Sequence, residues 1–264
     1  MNIIVCMKWT PDTSEADLTV AGGAKDIKKD DLDYDMNDWD RFAIEEAVQI
    51  KEKVEGGKVT VLSLAPEESE EMLRECLARG ADEAFQIWSD EMDGGDGYAT
   101  ATVLSQFIKS RPHDLILTGT LAEDDGAGQL GGMLAAMLNI PSATLVSKIE
   151  IQDKKASFIR ELEGGLYESM EMDLPCLVAV ATGLNEPRFV SIRAVRKVAS
   201  IDIPAVGIEE IGIEADKVGE SGARLVIENV ALPPEGVGAE IIKGKPIEAA
   251  ARLAEILKEK GAIG

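Results

Sequence analysis

The chain has 264 residues, of which 45% are hydrophobic, enough for a substantial core in one large domain or in one domain with an appendage. It carries 49 acidic and 27 basic residues, a formal net charge of −22 at pH 7. That charge argues against binding to nucleic acid or to anionic membrane surfaces. It favours solubility, and it could equally steer the protein toward a basic patch on a partner.

Targeting segments, cysteines and histidine narrow the class of protein further. No apolar run approaches the length that spans a bilayer, and the first residues lack the basic segment and cleavage site of a signal peptide, so we expect a cytoplasmic protein. Three cysteines lie far apart, which fits neither a disulfide framework nor a metal knuckle. The one histidine, His113, precedes an expected strand and so should lie opposite the ligand edge. We therefore expect no catalytic residue and no metal site.

In chain order, buried apolar runs alternate with amphipathic helical patterns four times up to residue 138. The expected strands are Asn2–Met7, Lys58–Leu64, Glu83–Trp88 and Leu115–Leu117. The helices are expected to begin after Asn37 as N-cap, at Pro66, after the loop that contains Gly94, Gly95 and Gly97, and at Leu130. This alternation predicts an α/β fold with a doubly wound, mostly parallel sheet.

After Pro141 the pattern changes to strands without intervening helices. Strands are expected at Ala143–Ile151, Ala156–Leu162, Leu166–Met172 and Cys176–Ala181. The Glu163-Gly164-Gly165 turn predicts a β-hairpin with one solvent-exposed face. Beyond residue 200 the pattern predicts a short strand at Arg224–Val230 and a helix from Pro246 to about Lys260. This tail is poor in aromatic residues, so it either wraps a partner subunit or covers its own domain.

One strand, turn and helix pattern, at Leu115–Leu138, predicts a ligand site. The apolar run ends at Thr118-Gly119-Thr120, a polar glycine-bearing turn follows, and apolar residues recur at helical spacing from Leu130. In an open α/β sheet such a turn lies at the carboxyl end of a strand, where ligands bind, and free N–H groups at the helix start attract phosphate. The turn is neither Gly-x-Gly-x-x-Gly nor a P-loop, so a plain βα loop with solvent-facing aspartates is equally compatible.

Several segments outside this turn carry a recognisable pattern. Ile159–Glu168 reads Ile-Arg-Glu-Leu-Glu-Gly-Gly-Leu-Tyr-Glu, and it is followed by Leu174–Val180 and then by Asn185–Phe189. With Ala43–Ala47 and the Gly119–Gly131 turn, these segments resemble the β subunit of electron transfer flavoproteins, end to end and in the correct order.

Three further tracts narrow the resemblance. Tyr34–Asp40, Gly80–Asp82 and Arg160–Gly165 look closest to the bacterial branch of this family that pairs with trimethylamine dehydrogenase. In that branch the β subunit binds AMP.

The resemblance implies a heterodimer with a fold like that of the adenine-nucleotide α-hydrolases. The α subunit would carry the redox-active FAD, and this chain would brace it and hold an AMP that has no redox role. Electrons would pass from a flavin-containing dehydrogenase to an acceptor. Carried over by position, the AMP contacts are Cys6, Asn37, Asp38, Trp39, Asp40, Leu64, Gly119, Thr120, Leu121, Ala122, Glu123, Asp124, Asp125, Gly126, Ala127, Gly128, Gln129 and Leu130.

These positions suit the parts of AMP, with two departures from the family pattern. The amides at Gln129–Leu130 would bind phosphate, Asp124 and Asp125 would accept from ribose hydroxyls or the adenine amino group, and Cys6 would line the purine. The family often has Lys or Arg where this chain has Thr120, and a hydroxyl or Val where it has Leu130. Phosphate binding would then depend more on backbone amides.

Two other functions remain open from the sequence. In the electron-bifurcating branch the same pocket would hold a second FAD and the complex would oxidise NADH, and Ser89–Thr102 weakly resembles the diphosphate-binding loop of that branch. A nucleotide-sensing module of the universal-stress type would share the sheet and the adenine site. It would not need the hairpin or the long tail, so these two features argue against it.

The resemblance also implies a surface for the partner dehydrogenase. An apolar anchor, Ile192, would lie in a loop after Asn-x-Pro-Arg, flanked by Arg193 and Arg196. The alternative is a β-strand with Val190, Ile192 and Ala194 inward. The expected division of the chain is a nucleotide-binding domain over residues 1–187, a partner-recognition loop over 188–199 and an arm over 200–264 that wraps the partner subunit.

Overall fold

A computed structural model describes residues 1–14, 16–54, 56–234, 236 and 238–263. The strands are β1 (Asn2–Met7), β2 (Trp9–Pro11), β3 (Tyr34–Met36), β4 (Lys58–Leu64), β5 (Glu83–Ile87), β6 (Leu115–Gly119), β7 (Ser142–Gln152), β8 (Lys155–Leu162), β9 (Leu166–Asp173), β10 (Cys176–Val180) and β11 (Ala205–Val206). The α-helices are α1 (Asp38–Lys53), α2 (Glu70–Arg79), α3 (Gly97–Lys109), α4 (Leu130–Leu138), α5 (Ile192–Val198), α6 (Ile208–Ile211), α7 (Gly219–Gly222) and α8 (Pro246–Glu259).

The main sheet has nine strands in the order β11-β5-β4-β1-β6-β10-β7-β8-β9. Neighbours from β11 to β7 are parallel, while β8 and β9 continue the sheet as antiparallel strands. A separate antiparallel pair, β2 and β3, brackets the long loop after β1. The predicted α/β fold, mostly parallel with a β-hairpin, is confirmed.

The order of the strands places a topological switch point between β1 and β6. From β1 the chain moves outward through β4 to β5, then returns to form β6 on the other side of β1. The loops at the carboxyl ends of β1 and β6 therefore diverge and leave a crevice, which is where open α/β sheets bind ligands.

Alternate side chains of the central strand enter two different cores. Ile3 and Val5 pack with α1 and α2, whereas Ile4 and Cys6 pack with α3 and α4 on the opposite face. Both faces of β1 are buried, and this is why its sequence is a continuous apolar run and not an alternating one. His113 lies just before β6, at the amino end of that strand, as predicted.

The segment Arg224–Val230 is not a strand, so that prediction is wrong. The Arg224 and Leu225 amides donate to the Asp96 carboxylate, at 2.7 and 2.9 Å, and the Val230 amide donates to the Ala24 carbonyl at 2.7 Å. The residue types favour an extended chain, but a strand also needs a neighbouring edge with which to pair.

The segment after Asn185-Glu186-Pro187-Arg188 is also not a strand. Helix α5 begins at Ile192, and the Ser191 hydroxyl caps it by accepting from the Ala194 amide at 3.2 Å. The alternative with Val190, Ile192 and Ala194 inward is therefore wrong, because Ile192 is 74% exposed.

The tail divides into a packed part and an exposed part. β11 pairs with β5, and α6 and α7 pack against α3, so residues 205–222 cover their own domain. Farther along, α8 has no buried residue, and apolar side chains such as Leu225 and Ile247 are exposed. No helix among the described residues is both long and apolar enough to cross a bilayer.

Candidate functional site

A cleft opens at the switch point, at the carboxyl ends of β1, β4 and β6 and beside the amino ends of α3 and α4. The space free of protein atoms is about 850 Å³, a volume that includes open solvent at the mouth of the cleft. The expected contacts that line it are Cys6, Asn37, Asp40, Leu64, Gly119, Thr120, Leu121, Ala122, Asp125, Gly128, Gln129 and Leu130. The other expected contacts, which do not line it, are Asp38, Trp39, Glu123, Asp124, Gly126 and Ala127.

Asp40, in the first turn of α1, ties together the two strand ends that form the cleft. Its carboxylate accepts from the Lys8 amide and from the Gly119 amide, each at 2.8 Å, and the residue is only 5% exposed. These bonds satisfy the last N–H groups of β1 and β6, which have no ladder partner where the strands diverge. The carboxylate thus fixes the spacing of the crevice.

The Asn37 side chain holds the loop after β6 in place through two hydrogen bonds. The sequence predicts it as the N-cap of α1, and it holds that position, but its side chain makes no capping hydrogen bond. Its amide nitrogen donates to the Leu121 carbonyl at 2.9 Å, and its oxygen accepts from the Glu123 amide at 3.2 Å. A buried amide group thereby holds residues 121–123 at the edge of the cleft.

Burial raises the pKa of the Asp40 carboxyl, and the hydrogen bonds from the Lys8 and Gly119 amides lower it in part. The net pKa is about 6, above the usual 3.8. A carboxyl whose pKa is raised by folding stabilises the protein at low pH, and this contribution is lost as the pH rises through the folded-state pKa. From pH 5 to pH 8 it should fall by about 1 kcal/mol.

The matched comparison for Asp40 is the variant Asp40→Asn. We expect the free energy of unfolding of the native chain, relative to this variant, to decrease by that amount between pH 5 and pH 8. Denaturant titrations of both proteins at each pH measure the difference, in which the other carboxylates cancel. A difference that does not change with pH would contradict the raised pKa.

Lys8 is the one basic side chain among the lining residues that the structure describes. Its ammonium group lies 2.6 Å from a carboxylate oxygen of Asp124 and 3.0 Å from one of Asp125. Asp124 thus contributes to the site through Lys8. The position of Lys8 just after β1 is the signal that could have identified it, because side chains that follow a central parallel strand reach the ligand edge.

The two helices at the cleft differ in how their amino ends are satisfied. Asp96 caps α3, since one of its oxygens accepts from the Tyr98 and Ala99 amides at 3.0 and 2.9 Å. Helix α4 begins after Gln129, and the side chain of this N-cap residue makes no capping hydrogen bond. The first N–H groups of α4 are therefore open to a ligand, whereas those of α3 are already bonded to a carboxylate.

Thr120 has a structural role at the end of β6. Its hydroxyl donates to the Val180 carbonyl at 2.9 Å and accepts from the Leu145 amide at 3.2 Å. The Thr120 hydroxyl thus links the end of β6 to β10 and β7. Both of these hydrogen bonds are made within the protein. The lining residues that are not among the expected AMP contacts are Met7, Lys8, Gly95, Asp96, Gly97, Thr100, Leu104 and Thr118.

An exposed patch of apolar side chains lies on and beside α5. Phe189 is 96% exposed, Ile192 74% and Val195 47%. Arg193 and Arg196 are also exposed. Large apolar side chains grouped on a surface and ringed by cations are typical of a protein interface.

Comparison with known proteins identifies the family to which this chain belongs. A family model described as the electron transfer flavoprotein domain matches residues 26–209. The β subunits of electron transfer flavoproteins from Methylophilus methylotrophus and Bacillus subtilis are each 34% identical to this chain, over 99% and 100% of its length and all of theirs. The caffeyl-CoA reductase-Etf complex subunit CarD of Acetobacterium woodii is 36% identical over the full length of both. The chain therefore belongs to the electron transfer flavoprotein family, as one of its β subunits, which carry electrons together with an α subunit that holds FAD.

Proposed function

We propose that this β subunit holds AMP in the cleft, braces the FAD of its α subunit, and helps to pass electrons from a flavin-containing dehydrogenase to an acceptor. The observation that supports this most is the open amino end of α4, which faces a cleft containing a lysine. The flavin supplies the redox chemistry. This chain would bind AMP and would orient and position the FAD of the α subunit.

The parts of AMP match the chemistry of the cleft. The phosphate would accept from the first amides of α4 and from the Gln129 side chain, with Lys8 as its counter-charge. Lys8 would supply the positive charge that the family often has at the position of Thr120. The phosphate would compete with Asp124 and Asp125 for the Lys8 ammonium group. Asp125 would accept from a ribose hydroxyl. The apolar side chains that would contact the purine are Cys6, Leu64, Leu104 and Leu130.

A second candidate is a cleft that holds FAD in place of AMP. Its support is that Gly95, Gly97 and Thr100, from the stretch that resembles a diphosphate loop, line the cleft. The cap on α3 argues for the monophosphate, because Asp96 occupies the amides that a second phosphate would need and adds a negative charge there.

The experiment that separates the two candidates is to denature the purified αβ complex and count the released nucleotides. We expect one FAD and one AMP per heterodimer. Two FAD and no AMP would replace the proposal with the second candidate. One FAD and no nucleotide from this subunit would remove the ligand role of the cleft.

We also propose that the α5 patch contacts the donor dehydrogenase. Ile192→Ala should slow electron transfer from the donor about tenfold, since removing a central apolar anchor typically costs about 1 kcal/mol or more of binding. Stopped-flow reduction of the flavin at several donor concentrations measures this. The heterodimer and its FAD content should not change, and an unaltered rate at every concentration would contradict the assignment.

The exposed arm is proposed to wrap the α subunit. The segment Leu225–Ile227 presents three consecutive exposed apolar side chains, and α8 presents Ile247 and Leu253 with no partner surface among the described residues. An amphipathic helix that buries nothing in its own chain gains stability only by packing on another. This arm thus extends the interface that the family membership requires.

A further inference from the structure

Thr118, in β6, has a buried hydroxyl that the site described above does not use. The residue is 1% exposed, and its hydroxyl oxygen has no hydrogen-bond partner within the part of the chain that the structure describes. It lines the cleft. Buried hydroxyls normally have a partner, so one without a protein partner beside a ligand cleft indicates where a ligand atom binds.

The position of Thr118 in the strand shows which way its hydroxyl faces. Side chains alternate along β6, and Ile116 packs in the core beneath α3 and α4, whereas Leu117 packs in the core beneath α1 and α2. Thr118 therefore faces α4. A β-carbon placed on Gly131, in the first turn of α4, would lie 3.2 Å from the Thr118 hydroxyl oxygen.

The hydroxyl and the open amides of α4 thus lie next to one another. Both can donate hydrogen bonds, and the N-cap residue Gln129 makes no side-chain hydrogen bond to the first turn of α4. A group that satisfies both must be an acceptor with several oxygens, which is the chemistry of a phosphate. Thr120, two residues later, cannot substitute because its hydroxyl is already bonded at both ends.

We propose that the Thr118 hydroxyl donates a hydrogen bond to the phosphate of the bound nucleoside monophosphate. This inference rests on the proposed function and adds a residue to it. Thr118 lies outside the Gly119–Leu130 turn, which the resemblance implies as the binding segment, and it supplies from the strand a hydroxyl that Leu130 does not provide.

The test compares Thr118→Val, which keeps the shape and removes the hydroxyl, with Thr118→Ser, which keeps the hydroxyl. Titration calorimetry on the αβ complex, stripped of bound nucleotide, uses AMP and adenosine as probes. We expect the valine variant to bind AMP about tenfold more weakly, the serine variant to bind AMP nearly as the native complex does, and all three to bind adenosine equally.

A second measurement, of the unfolding temperature, distinguishes a loss of AMP binding from a loss of folding. The stripped valine complex should unfold at a temperature no lower than the native complex, because it loses a buried hydroxyl that had no protein partner.

Unchanged AMP affinity in the valine variant, an equal loss for adenosine, or a lower unfolding temperature would each overturn the inference. If the native complex binds neither AMP nor adenosine, the proposed function itself fails. If it binds both and the valine variant binds both as tightly, only the role of Thr118 fails.

Discussion

Replacing Arg188 by alanine is expected to destabilise the chain by about 2–3 kcal/mol, below the roughly 3–5 kcal/mol of a fully buried ion pair because the Arg188 side chain is 33% exposed. Two guanidinium nitrogens of Arg188 contact the Glu45 carboxylate at 2.9 and 3.0 Å, and a third contacts Glu52 at 2.8 Å. Glu45 is only 2% exposed. The variant would leave the Glu45 carboxylate without its cation and, among the side chains that the structure describes, with only the hydrogen bond from Gln49, at 2.9 Å.

The acidity of Glu45 gives the same interaction a pH dependence. Burial alone would raise the pKa of Glu45, but the hydrogen bonds from Arg188 and Gln49 outweigh it and hold the pKa below 4.5. A lowered carboxyl pKa stabilises the protein above the unfolded-state pKa and is lost as the pH falls through the folded-state value. The stability lost in the Arg188→Ala variant should therefore be largest near neutral pH and smaller in acid.

Two further variants make this prediction sharp. Arg252→Ala removes an exposed helical pair with Glu255 and should change the free energy of unfolding by only about 0.5 kcal/mol. Adding Glu45→Gln to Arg188→Ala should recover part of the loss, because the unpaired charge is gone. Urea titrations of the four proteins measure these differences. A native-like stability for Arg188→Ala would show that Glu45 does not need the guanidinium.

The same network explains why the α5 patch has a defined position. Arg188 immediately precedes the exposed Phe189, its own carbonyl accepts from Arg79 at 3.0 Å, and Asn185 donates to the Phe42 carbonyl at 3.0 Å. The Asn-x-Pro-Arg sequence thus binds to α1 and α2, and the apolar patch projects from that fixed base.

The central strands were predictable because parallel strands buried on both faces have continuous apolar sequences, as in Asn2–Met7. The loop residues were harder, because their partners are distant in the sequence. Asp40 meets Gly119 across 79 residues, and no local pattern reveals that contact. For Asn37 the local pattern predicts a helix-capping side chain, but that side chain bonds to a distant loop instead.

The tail illustrates a third limit. The composition of Arg224–Val230 favours a strand, yet a strand forms only where another edge is present, and residue types alone do not show that edge. Thr118 could be assigned to the end of β6 from the sequence. That its hydroxyl is buried without a protein partner depends on where α4 packs, which only the structure reveals.

Replacing Gly119 by alanine should both destabilise the domain and abolish retention of the nucleotide proposed for the cleft. A β-carbon there would lie 2.5 Å from an Asp40 carboxylate oxygen and 2.7 Å from the β-carbon of Trp39, closer than atoms pack. The first turn of α1 must then shift away from β6, and the hydrogen bond from the Gly119 amide to Asp40 is lost or strained. Overpacking of this kind typically costs about 1–3 kcal/mol.

Gly132→Ala is the matched control, because the same atom there would meet nothing within 4 Å. In a helix that change should stabilise the chain by up to about 1 kcal/mol, since alanine restricts the unfolded chain more and favours the helix. Denaturant titration and nucleotide content measured on both variants give the comparison. The opposite signs have different causes: at Gly119 an added β-carbon meets α1, whereas at Gly132 the helix surface is open and only the preference of alanine for the helix acts. Equal stability of the two variants would mean that α1 can move away from β6 without cost and that the Asp40 contact does not fix the site.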